Sequence, residues 1–408
     1  MSPFADSEIV IIGGGAVGCG VAYSLAGAGH SDILLIERAE DVGQVTTAQG
    51  AGLCGQVRSS VERVRLAVHS VRVFRELQRD PEARPDWHEV GSIRLAFSDE
   101  RVRELRRLQA VCEQAGLEVA LVDRAEAQRL WPPLDLGAVR AVLWCPSDGY
   151  MTPTAVVKAY EAQCRRKGVR FATGTAVTGI TVRDGRVAAV RTDRGDVGCR
   201  MVVDAAGAHA SHVARLAGLE LPVVPVRHEY YDTVPLDGLH PGLPCFRIPE
   251  MTLYGRSVED CLRLGGWEPD ALSVDPRDFA LEDDAPAIEP DQRVLDRFEE
   301  QFTVLLPGAR GAIRTRVGRG WPTFTPDGQF IIGESRRVKG FVMAGGCNAH
   351  GISGSAGIGR LLVESLFEPH PGDYVRGLSP DRFTESSWDW DAARRQAQRV
   401  YETYYAIG

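Results

Sequence analysis

A glycine-rich turn close to the start of the chain is the sequence feature that most constrains its fold. An apolar run over residues 8–12 precedes the turn, and an apolar stretch of helix length, about residues 17–28, follows it. The turn contains Gly13, Gly15 and Gly18. In a strand–turn–helix unit the first glycine permits the tight turn, the second lets the backbone approach a pyrophosphate, and the third brings helix against strand. The pattern predicts a Rossmann-like α/β domain that holds a dinucleotide at the helix N-terminus.

An acidic residue at the end of the second predicted strand narrows the choice of dinucleotide. Apolar residues 33–36 lead into Glu37, about twenty residues beyond the glycines, where a carboxylate can accept hydrogen bonds from ribose hydroxyls. Its negative charge would repel a 2′-phosphate, which disfavours NADP. Residues 46–53 lie where the flavin ring of a bound nucleotide would sit, so they favour FAD as the cofactor. We expect this part of the cofactor site to contain Arg38, Thr46, Thr47, Gln49, Ala51, Gly52 and Leu53.

Composition excludes several classes of partner. The chain has 408 residues, which is more than a single hydrophobic core ordinarily contains. Its 47 basic and 55 acidic side chains give a net charge of −8. That charge argues against nucleic acid and anionic membranes. No apolar run is long enough to cross a bilayer, and residues 1–7 are too short and polar for a signal peptide, so we expect a cytoplasmic protein. Nine cysteines without a C-x-x-C pair predict reduced thiols and no metal site.

Hydrophobic patterning predicts two interleaved domains and an α/β fold class, in an α+β two-domain arrangement. Residues 91–97 and 223–264 alternate as strands do, and the second stretch predicts a sheet that roofs a ligand site. We expect a discontinuous FAD-binding domain, a substrate-binding domain with an antiparallel sheet, and a C-terminal helical tail. The FAD-binding domain is expected to comprise residues 1–85, 146–222 and 318–380. The substrate-binding domain is expected to comprise residues 86–145 and 223–317, and the tail residues 381–408.

The stretch at residues 268–291 differs in composition from its surroundings. It carries nine acidic side chains, one basic side chain and several prolines. This composition favours a solvated connection, and a mobile lid is the alternative.

The last nucleotide-side element lies near the C-terminus. Predicted strands at residues 330–333 and 340–346 precede small residues at 348–359, which predict the start of a helix that continues to about residue 366. That helix start would face the pyrimidine edge of a flavin, where its dipole and free amides stabilise the negative charge of the reduced ring. The remaining expected cofactor contacts are Val177, Ala206, Gly207, Gly346, His350, Gly351 and Ile352.

With these segments in order, the chain resembles the D-amino-acid-oxidase superfamily of flavoproteins, and within it the oxidase half of dimethylglycine and sarcosine dehydrogenases. The resemblance extends over nearly the whole chain. It implies that FAD oxidises the C–N bond of a small amine or amino acid by hydride transfer to flavin N5, giving an imine that water hydrolyses. The motifs that carry it are residues 51–60, 91–96, 225–230, 247–256, 266–269, the blocks that begin at Thr325 and His350, and residues 381–383 and 400–405.

The same resemblance implies roles for individual side chains. His228 and Tyr254 match the histidine and tyrosine that position and deprotonate the amine, and an imidazole can accept a proton near neutral pH. His350 could contact the flavin and the substrate, or cap its own loop. Three arginines are candidates to bind a substrate carboxylate through a bidentate guanidinium. In order of preference they are Arg256, Arg247 and Arg58.

Two departures from the family bear on how the cofactor is attached. Members that bind FAD covalently use a histidine where this chain has Gln49, and an amide nitrogen is a poor nucleophile. Monomeric sarcosine oxidases instead use a cysteine shortly before a T-P-D motif, where residues 319–324 of this chain contain none. The resemblance with these departures implies non-covalent FAD.

Three functional interpretations remain open at this point. The favoured substrate is an N-methyl amino acid of the sarcosine or dimethylglycine type. The alternatives are a primary amino acid or glycine-like biosynthetic intermediate, and a non-catalytic flavin-binding subunit of a larger complex. In an enzyme, either O2 or an electron-acceptor protein would reoxidise the flavin.

Overall fold

The structure is a computed structural model that describes residues 4–407. Residues 1–3 and 408, which the predicted domain bounds include, lie outside the described range. The predicted α/β fold class is confirmed. Within the described range no helix combines the length and apolar character needed to cross a bilayer. The strands are β1 (Ile9–Ile12), β2 (Ile33–Ile36), β3 (Leu53–Cys54), β4 (Ser92–Ala96), β5 (Ala120–Val122), β6 (Ala141–Cys145), β7 (Gly149–Tyr150), β8 (Arg170–Ala172), β9 (Val177–Arg183), β10 (Arg186–Thr192), β11 (Gly195–Gly198), β12 (Met201–Asp204), β13 (Val224–Pro225), β14 (His228–Pro235), β15 (Cys245–Ile248), β16 (Leu253–Val258), β17 (Cys261–Gly266), β18 (Arg314–Gly320), β19 (Thr323–Phe324), β20 (Ile331–Glu334) and β21 (Phe341–Gly345). The α-helices are α1 (Ala16–Gly27), α2 (Val61–Leu77), α3 (Asp99–Gln114), α4 (Arg124–Leu130), α5 (Pro153–Arg166), α6 (Ala210–Leu216), α7 (Gln292–Phe302), α8 (Ser355–Phe367), α9 (Asp373–Gly377), α10 (Asp381–Thr384) and α11 (Trp390–Glu402).

Six strands form a sheet in the order β20-β21-β12-β1-β2-β8, with every neighbouring pair parallel except β20 and β21. Strands β1 and β2 are continuous apolar runs whose residues are all buried, as expected of central strands covered on both faces. Ile9 and Ile11 pack against α1, α5 and α8, whereas Val10 and Ile12 pack against the small sheet of β9, β10 and β11. The glycine-rich turn therefore follows a strand of the central layer, which lies between a layer of helices and the small sheet.

Eight strands form a second sheet in the order β18-β14-β17-β16-β15-β4-β6-β5, antiparallel except where β15 pairs with β4. They fall within residues 92–145 and 228–320. Tyr231 and Leu253 point into the core that this sheet shares with α7. Because side chains alternate along a strand, Tyr230 and Tyr254 point to the opposite face. That face, toward the parallel sheet, is where the functional side chains lie.

The last nucleotide-side helix begins later than the sequence predicts. Asn348 and Ala349 have φ angles of 45° and 61°, a left-handed backbone that interrupts a right-handed helix. Helix α8 begins only at Ser355. The helix thus begins inside the predicted block 348–359 rather than at its first residue, and residues 348–354 form a loop before it.

Residues 268–291 form no helix, and their one β-bridge joins Ser273 to Val226. Most of their acidic side chains are exposed, as in a solvated connection. Their backbone carbonyls nevertheless accept hydrogen bonds from side chains of the rest of the molecule, which anchors the segment. His212 donates to the carbonyl of Phe279 (2.8 Å), and His209 donates to that of Asp283 (2.9 Å). Trp321 donates to the carbonyl of Pro286 (2.7 Å), and Arg319 donates to that of Ile288 (2.6 Å).

Candidate active site

A cavity of about 760 Å³ is lined by residues of both large sheets. The turn after β1, the residues after β2 and the loop at residues 43–53 contribute to one part of its wall. Strands β14, β15 and β16 and the loop before α8 contribute to another. Cavities of about 300–1,000 Å³ are typical of cofactor and small-ligand sites.

Most residues predicted to contact a cofactor line this cavity. Gly18 and Gly346 do not. A side chain at Gly18 would collide with the carbonyl of Gly13, so this glycine serves the close packing of helix on strand. Gly346 turns the chain with a φ of 59°. The predicted residues that line the cavity are Gly13, Gly15, Glu37, Arg38, Thr46, Thr47, Gln49, Ala51, Gly52, Leu53, Val177, Ala206, Gly207, His350, Gly351 and Ile352.

The start of α1 and the Glu37 carboxylate fit a dinucleotide. Gly13 has a φ of 108°, and Gly15 caps α1 without a side chain that could occupy the helix N-terminus. The Glu37 carboxylate accepts hydrogen bonds from the amides of Gly14 (2.6 Å) and Ala39 (2.9 Å), which hold it against the cavity. An open helix start suits a pyrophosphate, and an oriented carboxylate suits ribose hydroxyls.

His228 and Tyr254 form a hydrogen-bonded pair in the wall formed by the eight-stranded sheet. The His228 Nε2 atom lies 2.7 Å from the Tyr254 hydroxyl, and Nδ1 lies 3.0 Å from the Tyr401 hydroxyl. Burial lowers the pKa of His228 to about 3 and raises the pKa of Tyr254 well above its usual value. This low pKa makes His228 a weak proton acceptor near neutral pH, and its role as the base stays a prediction. Its desolvated ring is a neutral hydrogen-bond partner at physiological pH.

Aromatic side chains that the sequence analysis did not select complete this wall. Trp267 stacks on Tyr404, with ring centroids 3.9 Å apart, and its ring lies 4.6 Å from that of His228. The Tyr404 hydroxyl lies 2.9 Å from His350 Nε2. The three tyrosines within residues 401–405 were a visible signal, but sequence alone does not indicate which distant cavity a terminal segment reaches.

Two of the three candidate arginines line the cavity. The guanidinium of Arg247 donates to the Tyr405 hydroxyl (3.3 Å), and that of Arg58 donates to the Val57 carbonyl (2.9 Å). Burial lowers the pKa of Arg58, and the positive charge of Arg247 acts in the same direction. A ligand anion would offset both effects, so this part of the cavity suits a carboxylate.

Arg256, the first choice from the sequence, lies elsewhere. Its guanidinium lies 4.0 Å from the centre of the Tyr150 ring and donates to the Ser257 carbonyl (2.8 Å). It shares a strand face with Tyr254, but two residues of a strand span about 6.6 Å. That displacement along β16 takes Arg256 past the cavity, whose lining includes Tyr254 but not Arg256.

Comparison with known proteins agrees with this cofactor geometry. The family model described as DAO, FAD-dependent oxidoreductase, matches residues 8–365. This chain belongs to the DAO family of FAD-dependent oxidoreductases. The predicted resemblance and the predicted cofactor, FAD, are confirmed. As a DAO-family protein it is also similar in fold to L-proline dehydrogenase from P. horikoshii, with a TM-score of 0.83, 23% identity, and coverage of 94% of this chain and 100% of that one.

Curated relatives extend the comparison to particular reactions. Human mitochondrial sarcosine dehydrogenase is 30% identical over 427 residues, which cover 99% of this chain and 44% of that protein. The formaldehyde-forming 4-methylaminobutanoate oxidase of Paenarthrobacter nicotinovorans is 28% identical over 385 residues, which cover 92% of this chain and 45% of that protein. The DAO-family chain thus spans about half the length of these relatives.

Proposed function

We propose that this chain oxidises the C–N bond of a small amine or amino acid to an imine, which water then hydrolyses. An N-methyl amino acid of the sarcosine or dimethylglycine type is the proposed substrate class. The observation that carries the proposal is one cavity that joins a dinucleotide-binding turn to an aromatic wall with two half-buried arginines. The names of the sarcosine dehydrogenase and 4-methylaminobutanoate oxidase relatives support the same class, since both denote N-methyl amino acids.

Each part of the wall matches one part of such a substrate. Arg247 and Arg58 bind the carboxylate, and the rings of Trp267 and Tyr404 face the N-methyl group. Oxidation requires a neutral amine whose nitrogen lone pair is free. Burial and the two guanidiniums disfavour an ammonium, so they favour release of its proton before oxidation. Tyr254, held by His228, orients the nitrogen.

Bound FAD supplies the acceptor for the two electrons and one hydrogen that leave the carbon. The nitrogen proton leaves separately, and water completes the hydrolysis of the imine to an amine and an aldehyde. We propose O2 or an electron-acceptor protein as the final oxidant. Peroxide formation in air would identify O2, and reduction of an added dye without peroxide would identify a carrier.

The decisive experiment is anaerobic mixing of the FAD-loaded protein with a panel of amines while flavin bleaching is followed. Sarcosine, dimethylglycine or 4-methylaminobutanoate should bleach the flavin fastest, ahead of glycine and proline. Dimethylamine, which lacks the carboxylate, is the matched control and should react poorly. Faster reaction with glycine would favour a primary amino acid. No bleaching by any amine would favour a non-catalytic subunit.

Substitution of one arginine tests the carboxylate site. Arg247→Met should raise the substrate concentration needed for half-maximal bleaching by about 10- to 100-fold, because a hydrogen-bonded charge contributes roughly 1.5–3 kcal/mol. Arg256→Met is the control and should leave it nearly unchanged, because Arg256 does not line the cavity. The reverse pattern would restore Arg256 as the carboxylate ligand.

A further inference from the structure

A line of buried hydrogen bonds extends from the active-site wall away from the cavity. It joins Tyr254 to His228 Nε2 (2.7 Å), His228 Nδ1 to Tyr401 (3.0 Å), and the Tyr401 hydroxyl to a carboxylate oxygen of Glu268. Tyr401 is fully buried and Glu268 is 2% exposed. The other carboxylate oxygen of Glu268 lies 3.4 Å from Arg227 Nη2. Strands β14 and β16, the segment after β17 and helix α11 each contribute to this line.

We infer that Glu268, acting through Tyr401, sets the tautomer of His228 with the proton on Nδ1. The inference rests on the proposed function for its consequence in catalysis. Burial raises the pKa of the Glu268 carboxyl, and the Arg227 guanidinium, 3.4 Å away, opposes this effect and favours the carboxylate. In its ionised form Glu268 only accepts hydrogen bonds, so the single proton of the Tyr401 hydroxyl is donated to it. The Tyr401 oxygen must then accept from His228 Nδ1–H.

The tautomer decides which way Tyr254 donates. A neutral imidazole carries one proton, so with Nδ1 protonated the Nε2 atom is an acceptor. Tyr254 then donates to Nε2 and leaves its oxygen lone pairs free toward the cavity. Burial lowers the pKa of His228 to about 3, which keeps the ring in this neutral form.

The opposite tautomer would oppose oxidation. With the proton on Nε2, His228 would donate to the Tyr254 oxygen, and the Tyr254 proton would be free to donate to the substrate nitrogen. That hydrogen bond would occupy the lone pair that amine oxidation requires. Glu268 and Tyr401 are thus positioning residues, because they contact neither the cavity nor the reacting atoms.

Glu268→Gln tests the inference because Arg227 restricts the orientation of the new amide. A guanidinium only donates, so the amide oxygen should face Arg227 and the amide nitrogen should donate to Tyr401. Tyr401 would then donate to His228 Nδ1 and move the ring proton to Nε2. Nitrogen-15 NMR of histidine-labelled, FAD-loaded protein distinguishes the two tautomers without substrate.

We expect Nδ1–H in the wild type and Nε2–H in Glu268→Gln, with flavin reduction slowed by roughly 10²-fold, the lower end of the range for acid–base groups. Glu229→Gln is the matched control, since Glu229 is buried and lies 3.6 Å from Arg227 Nε but does not contact Tyr401. It should retain the wild-type tautomer and rate.

Nε2–H in the wild type, or an unchanged tautomer in Glu268→Gln, would overturn the inference. Tyr401→Phe gives an independent test if Glu268→Gln does not fold, because it removes the acceptor of Nδ1–H; retention of the Nδ1 tautomer there would also overturn it. If the tautomer shifts as expected but no amine reduces the flavin, the inference about Glu268 would stand and the proposed function would be overturned.

Discussion

His228, His350 and Tyr254 are neutral at physiological pH because burial lowers the pKa of both histidines and raises that of the tyrosine. Arg247 and Arg58, in the same cavity, carry positive charge. A carboxylate is favoured beside these cations, whereas an ammonium gains no counterion from the three neutral side chains. At the scale of single residues, desolvation rather than a titrating base favours the neutral amine.

This charge distribution makes a prediction for the pH dependence of flavin reduction. Because the pKa of His228 falls from 6.5 to about 3, its ring stays neutral across the range in which amines ionise. The reduction rate at low substrate should therefore rise with pH as the substrate ammonium loses its proton, and it should show no inflection near 6.5. His228→Ala should lower the whole profile without changing its shape. An inflection near 6.5 that disappears in this variant would contradict the prediction; rapid anaerobic mixing across pH measures both.

The residues near the expected attachment points predict that FAD is bound without a covalent bond. Gln49 lines the cavity where a linking histidine would be needed. Cys347 also lines it, but burial raises the pKa of its thiol to about 12, so little nucleophilic thiolate is present. Acid precipitation should leave yellow FAD in the supernatant. A yellow pellet, with flavin on the tryptic peptide that contains Cys347 or Gln49, would contradict this prediction.

At the scale of elements, strand β17 determines where Tyr254 lies. Gly265 stands between Tyr230 and Tyr254 in the sheet, and a side chain on it would collide with the Tyr254 ring and hydroxyl. The absence of a Cβ at this position lets the hydroxyl reach His228. A single glycine in a neighbouring strand thus places a proposed catalytic side chain.

Gly265→Ala should therefore slow flavin reduction per bound flavin by roughly 10- to 100-fold through displacement of Tyr254, since misplacement of about 1 Å has effects of this size. Overpacking should also cost about 1–3 kcal/mol of stability. Gly27→Ala is the control, because nothing lies within 4 Å of its added Cβ. Normal reduction rates in a folded Gly265→Ala protein would show that the position of Tyr254 is not required.

The segment at residues 268–291 is the second element with a testable role. Arg38, which lines the cavity, donates to the carbonyls of Leu281 (3.2 Å) and Asp283 (2.7 Å) and pairs with Asp284. Leu281 and Glu282 themselves line the cavity. Arg38→Ala should loosen residues 281–284, although other hydrogen bonds still anchor the rest of the segment, and should raise the FAD dissociation constant by about 10-fold or more.

Asp284→Ala removes only the exposed ion pair and should change that constant by less than about 5-fold, because surface pairs contribute about 0–1 kcal/mol. Fluorescence titration of the apoprotein with FAD measures both variants. Equal effects of the two substitutions would mean that the carbonyl hydrogen bonds do not hold the segment over the cofactor.

At the scale of the whole molecule, buried histidines link stability to pH. Burial lowers the pKa of His209 to about 4 and that of His228 to about 3, from an ordinary value of 6.5. Below 6.5 the unfolded chain binds protons that the native state does not, so the free energy of unfolding falls as pH falls. This loss continues down to the folded-state pKa values.

Each such histidine should contribute a slope of about 1.4 kcal/mol per pH unit between 6.5 and its folded pKa. His209→Gln should reduce the slope by about that amount between 6.5 and about 4. Urea unfolding at several pH values measures the slope. An unchanged slope in His209→Gln would show that His209 is not neutral in the native state.

Local sequence determined the nucleotide-binding half of this protein. The turn from Gly13, the apolar strands around it and the acid at Glu37 act over a few residues, so their spacing specifies both conformation and the ligand class. The same holds for β4, which forms within one residue of its predicted bounds. The late start of α8 is the exception, because two left-handed residues replaced the helix that its small residues predict.

Tertiary structure alone decided the composition of the catalytic wall. Arg247 on β15 faces the cavity, whereas Arg256 on β16 does not. The position of each arginine along its strand, rather than its residue type, decides whether its side chain reaches the cavity. Trp267, Tyr401 and Tyr404 come together from segments more than 130 residues apart. The neutrality of His228 likewise results from burial by those distant side chains. Such contacts depend on packing between elements, and no local pattern in the sequence encodes them.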